Sequence, residues 1–184
     1  GLDFGTTPDA AIVPTVSQIR GRPGQFVVHC SGALSNADLA VIAGSGAGAG
    51  GFHPLQSFAS VDEAIRNLPG SSFGLEGTDP PLAVLKEMAE RLGGTWVYLR
   101  PEDKVLCHAA AVITSNYTVA LMKMATDLWA RFGVSRVDAT KALLPLLQGT
   151  VNNIARIGLP GCLTGPIARG DYGTVEKHLT ALER

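Results

Sequence analysis

The chain has 184 residues, of which 46% are hydrophobic and 17% charged, and a formal net charge of −1, as expected of a globular protein with one sizeable core or two small ones. That charge balance lacks the clustered Lys and Arg that nucleic acid or an anionic membrane surface attracts, so neither is expected as a partner. Three cysteines without a C-x-x-C pair suit reduced thiols in the cytoplasm, and no metal site is expected. The first ten residues show no basic-then-apolar leader, and no apolar run approaches the ~18 residues of a membrane span.

In chain order, an apolar stub "LDF" runs into "TTPDAA", where Thr7 is read as a helix cap, Pro8 as the first helical position and Asp9 as a first-turn acid. Strands are expected at "QFVVHC" (25–30), "GFHPL" (51–55), "SFGLE" (72–76) and "TWVYL" (95–99), each bounded by Gly, Pro or Ser. A helix between the last two, capped by Asp79 and stopped by Gly93, carries Leu82, Leu85, Ala89 and Leu92 on one face. The crossover places "SFGLE" and "TWVYL" in one sheet, parallel if adjacent.

Strand signals end near residue 100, which divides an α/β part (1–100) from an all-helical part (101–184). The helical part reads as one helix from about Glu102 to Phe132, a second from the Ser135-x-x-Asp138 capping box to Gly158 with a kink at Pro145, and a third after Asp171. The chain opens in mid-element and closes with its last helix still in phase, as a fragment would.

The run "AVIAGSGAGAGG" contains Gly46-x-Gly48-x-x-Gly51, the spacing of a dinucleotide phosphate loop. The fingerprint needs a strand turning into a helix whose first amides hold the pyrophosphate, and here the glycines lead into another strand. It is read as a flexible loop.

Several positions carry residues suited to chemistry. Thr7, Pro8 and Asp9 form a strand-end loop of the kind that faces a ligand in open α/β sheets, or a plain helix start. In "HCSGAL", the amides of Ser31 and Gly32 allow close approach of a cofactor or substrate. His53 is held rigidly by the following Pro54 between Phe52 and Phe58, as a ligand-facing imidazole or a structural one. Arg169 lies in a Gly- and Pro-rich break between helices, where it meets Asp171 or a substrate acid, with Asp171 as an ordinary cap the alternative.

The most informative stretch is "KVLCHAAAVITSNYTVAL". At about 100° per residue, Lys104, His108, Ala111 and Ser115 share a stripe, with Asn116 further round. A Lys–His pair beside small residues reads as a pocket wall, where a partly buried lysine with a lowered pKa serves as general acid. The alternative is a solvated i,i+4 polar pair.

Taken in order, "TTPDAAI", "VVHCSGALS", "FHPLQSF", "EDKVLCHAAAVITSNY" and "LTGPIARGDYGTV" resemble Rossmann-like proteins with a C-terminal domain of unknown function. That group is akin to the 6-phosphogluconate dehydrogenase-like enzymes, including ketopantoate reductase, pyrroline-5-carboxylate reductase and prephenate dehydrogenase. The resemblance implies an α/β plus all-α fold: the C-terminal part of a Rossmann-like NAD(P)-binding domain, then a helical domain that builds a homodimer. It also implies some 70 to 80 further residues ahead of Gly1, with the phosphate loop, and a short stretch after Arg184.

By the same resemblance Lys104 and His108 match the catalytic pair of that kinship. His53, Ser115, Asn116 and Arg169 are then substrate-binding, and Thr7, Pro8, Asp9, Ser31 and Gly32 flank the nicotinamide end of NADP or NAD. The expected reaction is hydride transfer between the cofactor and a small carbonyl or hydroxyl compound, with weak or no dinucleotide binding by the isolated chain. The rival is a non-catalytic nucleotide-sensing or dimerisation module. A hydrolase on Ser31 with His29 or His53 lacks an elbow motif and an acidic partner.

Overall fold

The structure is a computed structural model that describes residues 1–183. Five strands, β1 (Leu2–Gly5), β2 (Phe26–His29), β3 (Gly48–Leu55), β4 (Ser72–Gly77) and β5 (Thr95–Tyr98), form one sheet in chain order. β1, β2 and β3 are parallel, β4 runs antiparallel to β3, and β5 is parallel to β4 as the crossover requires. The carboxyl ends of the first three strands therefore leave the sheet along one edge.

Alternation along β2 sends neighbouring valines to opposite faces and so seeds two cores. Val27 packs with Ile12 and Val16 of α1 (Asp9–Val16) and with Leu39, Ile42 and Ala47 around the short α2 (Ala40–Ala43). Val28 packs with Phe52, Phe73 and Leu75 of the sheet and with Leu85 and Ala89 of α4 (Pro81–Arg91). Leu82 and Leu92 of the expected stripe join that second core from its edge. The short α3 (Val61–Asn67), capped by Ser60 with its hydroxyl accepting from the Glu63 amide at 3.2 Å, is an element the sequence pattern did not signal.

The glycine run is strand rather than loop from Gly48 onward, and sterics explain it. A β-carbon on Gly50 would stand 3.0 Å from Leu85 of α4, and one on Gly51, on the opposite face, 3.3 Å from the Lys104 ammonium. Glycine lets a helix and a buried cation approach β3 from its two sides. Beyond the end of β2, β3 pairs with no strand on that side among the described residues, which accommodates Pro54.

Two caps differ from expectation. α1 begins at Asp9 with Pro8 as its N-cap and no side-chain cap, because Thr7 lies one residue too early to reach the first-turn amides. α4 begins at Pro81 with Pro80 as its N-cap, so Asp79 is outside the helix.

The chain divides into two compact units, Gly1–Thr118 and Val119–Arg184. The division falls within α5 (Lys104–Ala130), well after the last strand. α5 is long and apolar enough to cross a membrane by length and composition. The expectation that nothing approaches that length looked for unbroken apolar runs, and α5 is apolar on average although Ser, Thr and Asn interrupt it. Length and composition do not distinguish a span from a helix that packs against protein.

In the second unit α6 (Arg136–Ile157) starts at Ser135, whose hydroxyl accepts from the Asp138 amide at 3.2 Å, and ends at Gly158 with φ 81°. The short α7 (Gly165–Ala168) precedes α8 (Tyr172–Leu182), which Asp171 caps by accepting from the Thr174 amide at 3.1 Å. Asp171 serves as that cap, and the hydrogen bonds from Thr174 hold its carboxyl below the usual range. Arg169 ends α7 as an exposed residue of this unit.

Candidate functional site

The site lies in the first unit, where β2 and β3 end. β2 stops at His29, and the turn Cys30-Ser31-Gly32 follows. The Ser31 hydroxyl accepts from the amides of Ala33 at 3.1 Å and Leu34 at 2.9 Å, which fixes the turn and occupies the oxygen a hydrolase would need. β3 runs four residues past the level of His29, and His53, two residues past it, stands to the side of this turn.

His53 Nδ1 lies 3.2 Å from the carbonyl oxygen of Cys30. A carbonyl only accepts, so Nδ1 bears the proton and Nε2 presents its lone pair. Burial pushes the His53 imidazole below its ordinary pKa, the Cys30 carbonyl opposes this, and the positive charge of Lys104 adds to the lowering. The ring is neutral near pH 7.

His108, one turn into α5, meets His53 edge to face with ring centroids 6.0 Å apart. The two rings close over Gly32: a β-carbon there would stand 2.5 Å from His108 Nδ1 and 2.7 Å from His53 Nε2. His108 Nδ1 is buried without a hydrogen-bond partner. Both nitrogens thus pack against one glycine, whose missing side chain leaves them room.

A cleft of about 290 Å³ opens from this pair, lined by His53, Gln56, Phe58, His108, Ser115 and Asn116 among others. Four residues singled out in the sequence therefore share one wall. Helical periodicity made His108 and Ser115 legible, while Gln56 and Ser57 in the turn after β3 carry no sequence signal beyond proximity to His53.

Lys104 is not among the lining residues. It is 1% exposed, and its ammonium donates to the carbonyl of Ser31 at 2.8 Å with the Glu76 carboxylate at 3.7 Å. Burial pushes the Lys104 ammonium below its ordinary pKa, and Glu76 opposes that shift. Glu76 also accepts from the Ser35 hydroxyl. Beside them His29 is fully buried with neither ring nitrogen partnered, and burial, then the charge of Lys104, lowers its pKa to about 4. The pattern reading missed Glu76; a carboxylate closing an otherwise apolar strand was the available signal.

Thr7, Pro8 and Asp9 lie just beyond the carboxyl end of β1, on the same sheet edge as Ser31 and Gly32. Thr7 Oγ1 is buried without a partner, while Pro8 and Asp9 are exposed. This is the edge at which open α/β sheets bind ligands.

The profile of the family described as "Domain of unknown function (DUF2520)" matches residues 71–184, more than half of the chain. The chain belongs to the DUF2520 family. Among solved structures, protein TM1727 from Thermotoga maritima is 31% identical, with 95% of this chain and 67% of that one covered and a TM-score of 0.81. Protein BF3122 from Bacteroides fragilis, which bears a provisional NADP oxidoreductase designation, is 24% identical over 98% of this chain and 68% of its own, TM-score 0.73. Pyrroline carboxylate reductase from Plasmodium falciparum, solved with NADP bound, is 15% identical over 99% of this chain and 72% of its own, TM-score 0.67. No curated protein matches the sequence. The DUF2520 chain thus has the mixed sheet and helical C-terminal part of Rossmann-like NADP reductases.

Proposed function

We propose that this DUF2520 chain forms the substrate side of an NAD(P)-dependent oxidoreductase acting on a small carbonyl or hydroxyl compound. The observation that carries the reading is the convergence of His53 Nε2 and His108 Nδ1 on Gly32, at the carboxyl ends of parallel strands. Two unengaged ring nitrogens at a ligand-binding edge are groups that bind and exchange protons.

The residues present fit the nicotinamide end of a dinucleotide. The unpartnered Thr7 hydroxyl and the Gly32 turn, against which the two imidazoles pack, lie on one sheet edge, with Ser31 holding the turn. When bound, the cofactor supplies the hydride. Among the described residues no glycine-rich turn joins a strand to a helix, since the glycine run continues into β3, so these residues do not account for a pyrophosphate site.

In this reading His108 and His53 face the substrate and hold or move its proton, Ser115 and Asn116 orient it, and Phe58 helps to exclude water. Lys104 acts as a positioning residue: its bond to the Ser31 carbonyl sets the peptide against which both histidines rest. Arg169 as a substrate ligand belongs to the same proposal, supported only by the resemblance.

The second unit supports a further reading, homodimerisation through its helices. Leu121, Met124, Leu144, Leu146, Ile154 and Ile157 are all exposed there, an apolar surface of the kind that marks a protein interface. A cytoplasmic site of action fits three free cysteines.

The enzyme reading is tested by following oxidation of NADPH, or reduction of NADP, by the protein with a panel of small aldehydes, ketones, 2-oxo acids, alcohols and amines. Turnover that falls at least about 100-fold in His108→Ala is expected, in line with loss of a general acid–base group. An absence of turnover across the panel, in protein to which the cofactor is shown to bind, contradicts the reading.

A further inference from the structure

The cleft beside the two histidines continues into a second cavity of about 480 Å³. Leu55, Gln56, Ser57, Ala111 and Ser115 line both, and Cys107, Ala110 and Thr114 of α5 extend the wall. The two form one groove, polar at the His53–His108 end and largely apolar along α5.

No Lys, Arg, Asp or Glu is among the residues that line either part. The cation nearest by chemistry, Lys104, is buried behind the Ser31 carbonyl and engaged there. An anionic ligand would lose water in this groove without meeting a counter-charge. Small acids and phosphates are therefore disfavoured. An apolar body is favoured, because it covers the side chains of Leu55, Ala110 and Ala111.

The polar end adds a second selection. The Cys30 carbonyl holds the proton of His53 on Nδ1, so Nε2 is an acceptor, packed beside Gly32 on a ring that lines the cleft. A group that satisfies it must donate, and an N–H or O–H does so where a ketone oxygen cannot.

We infer that the groove takes a ligand without carboxylate or phosphate, whose polar head donates an N–H or O–H to His53 Nε2 and whose apolar body lies along Leu55, Cys107, Ala110, Ala111 and Thr114. This rests on the reading of the His53–His108 cleft as the substrate site. It narrows the substrate class to alcohols, or amines bound in their uncharged form, with apolar substituents and sets 2-oxo acids apart.

Four probes of one ring size separate these terms: cyclohexanol, cyclohexylamine, cyclohexanone and cyclohexanecarboxylate, each titrated into the whole chain. The readout is the ring-nitrogen resonances of His53 and His108 in protein labelled with ¹⁵N-histidine. Cyclohexanol or cyclohexylamine should bind and shift His53 Nε2, with the ketone about tenfold weaker, the weight of one hydrogen bond, and the carboxylate weakest. Cyclohexylamine, an ammonium ion near pH 7, is expected to bind more weakly than cyclohexanol, because the groove offers it no counter-charge.

His53→Phe should bring the donor probe down to the affinity of the ketone, and Ala111→Leu, which fills the groove, should weaken all ring probes alike. Carboxylate binding as tight as the alcohol overturns the inference, and so does failure of both donors to bind. If a donor binds with the expected shift but no hydride passes between it and NADP, the oxidoreductase reading fails while the ligand class stands.

Discussion

The ammonium of Lys104 donates to the carbonyl oxygen of Ser31 at 2.8 Å across 73 residues of sequence, so the first turn of α5 is fastened to the loop that follows β2. The same cation faces the Glu76 carboxylate at 3.7 Å, and both side chains are 1% exposed. Removing one member of a buried pair strands the other, which costs more than the pair contributes. Lys104→Met is expected to lower stability by about 3 kcal/mol, while Lys104→Met with Glu76→Leu recovers much of that loss. Urea unfolding of the two variants checks the coupling.

Gly32 is the contact point of the two imidazoles. Gly32→Ala places a methyl group at 2.5 Å from His108 Nδ1 and 2.7 Å from His53 Nε2, so the rings must move apart. A cost of about 1 to 3 kcal/mol is expected, as for overpacking elsewhere, with displaced histidine resonances. An alanine variant as stable as the parent, with unchanged resonances, contradicts the packing described.

His29 makes stability depend on pH. Its folded-state pKa of about 4 lies below the ordinary 6.5, because burial and the Lys104 charge disfavour the imidazolium. As pH falls the unfolded chain takes up this proton first, so stability is full above about 6.5, declines toward pH 4 and levels off below. The loss assigned to this residue is at most about 3 kcal/mol, and the lowered pKa of His53 acts in the same direction. His29→Leu should flatten the 4 to 6.5 window in denaturant midpoints measured against pH.

The exposed apolar helices of the second unit predict association. Leu146 is 69% exposed on α6, and Leu146→Glu is expected to shift a concentration-dependent dimer toward monomer in analytical ultracentrifugation without lowering the helical circular dichroism. A parent that sediments as monomer at all concentrations contradicts the dimer.

Much of this site is written in local pattern. Helical periodicity put His108 and Ser115 on one stripe, and strand alternation with its bounding Gly and Pro put His53 at the end of β3. The glycine run resisted the same treatment because its purpose is tertiary: Gly50 and Gly51 are small so that Leu85 and Lys104 fit on either side of β3. Glu76 and the burial of Lys104 were likewise invisible, since an ion pair between a strand end and a helix 28 positions later leaves no periodic trace. α3 is too short and too exposed for periodicity to mark it.

The central claim, that the carboxyl ends of β1 and β2 receive the reacting end of a nicotinamide cofactor, is tested most directly by titrating NADPH into isotopically labelled protein. The account predicts perturbations gathered at the amides of Thr7, Ser31 and Gly32 and at the imidazoles of His53 and His108. Perturbations gathered instead at Gly46–Gly51 would contradict it.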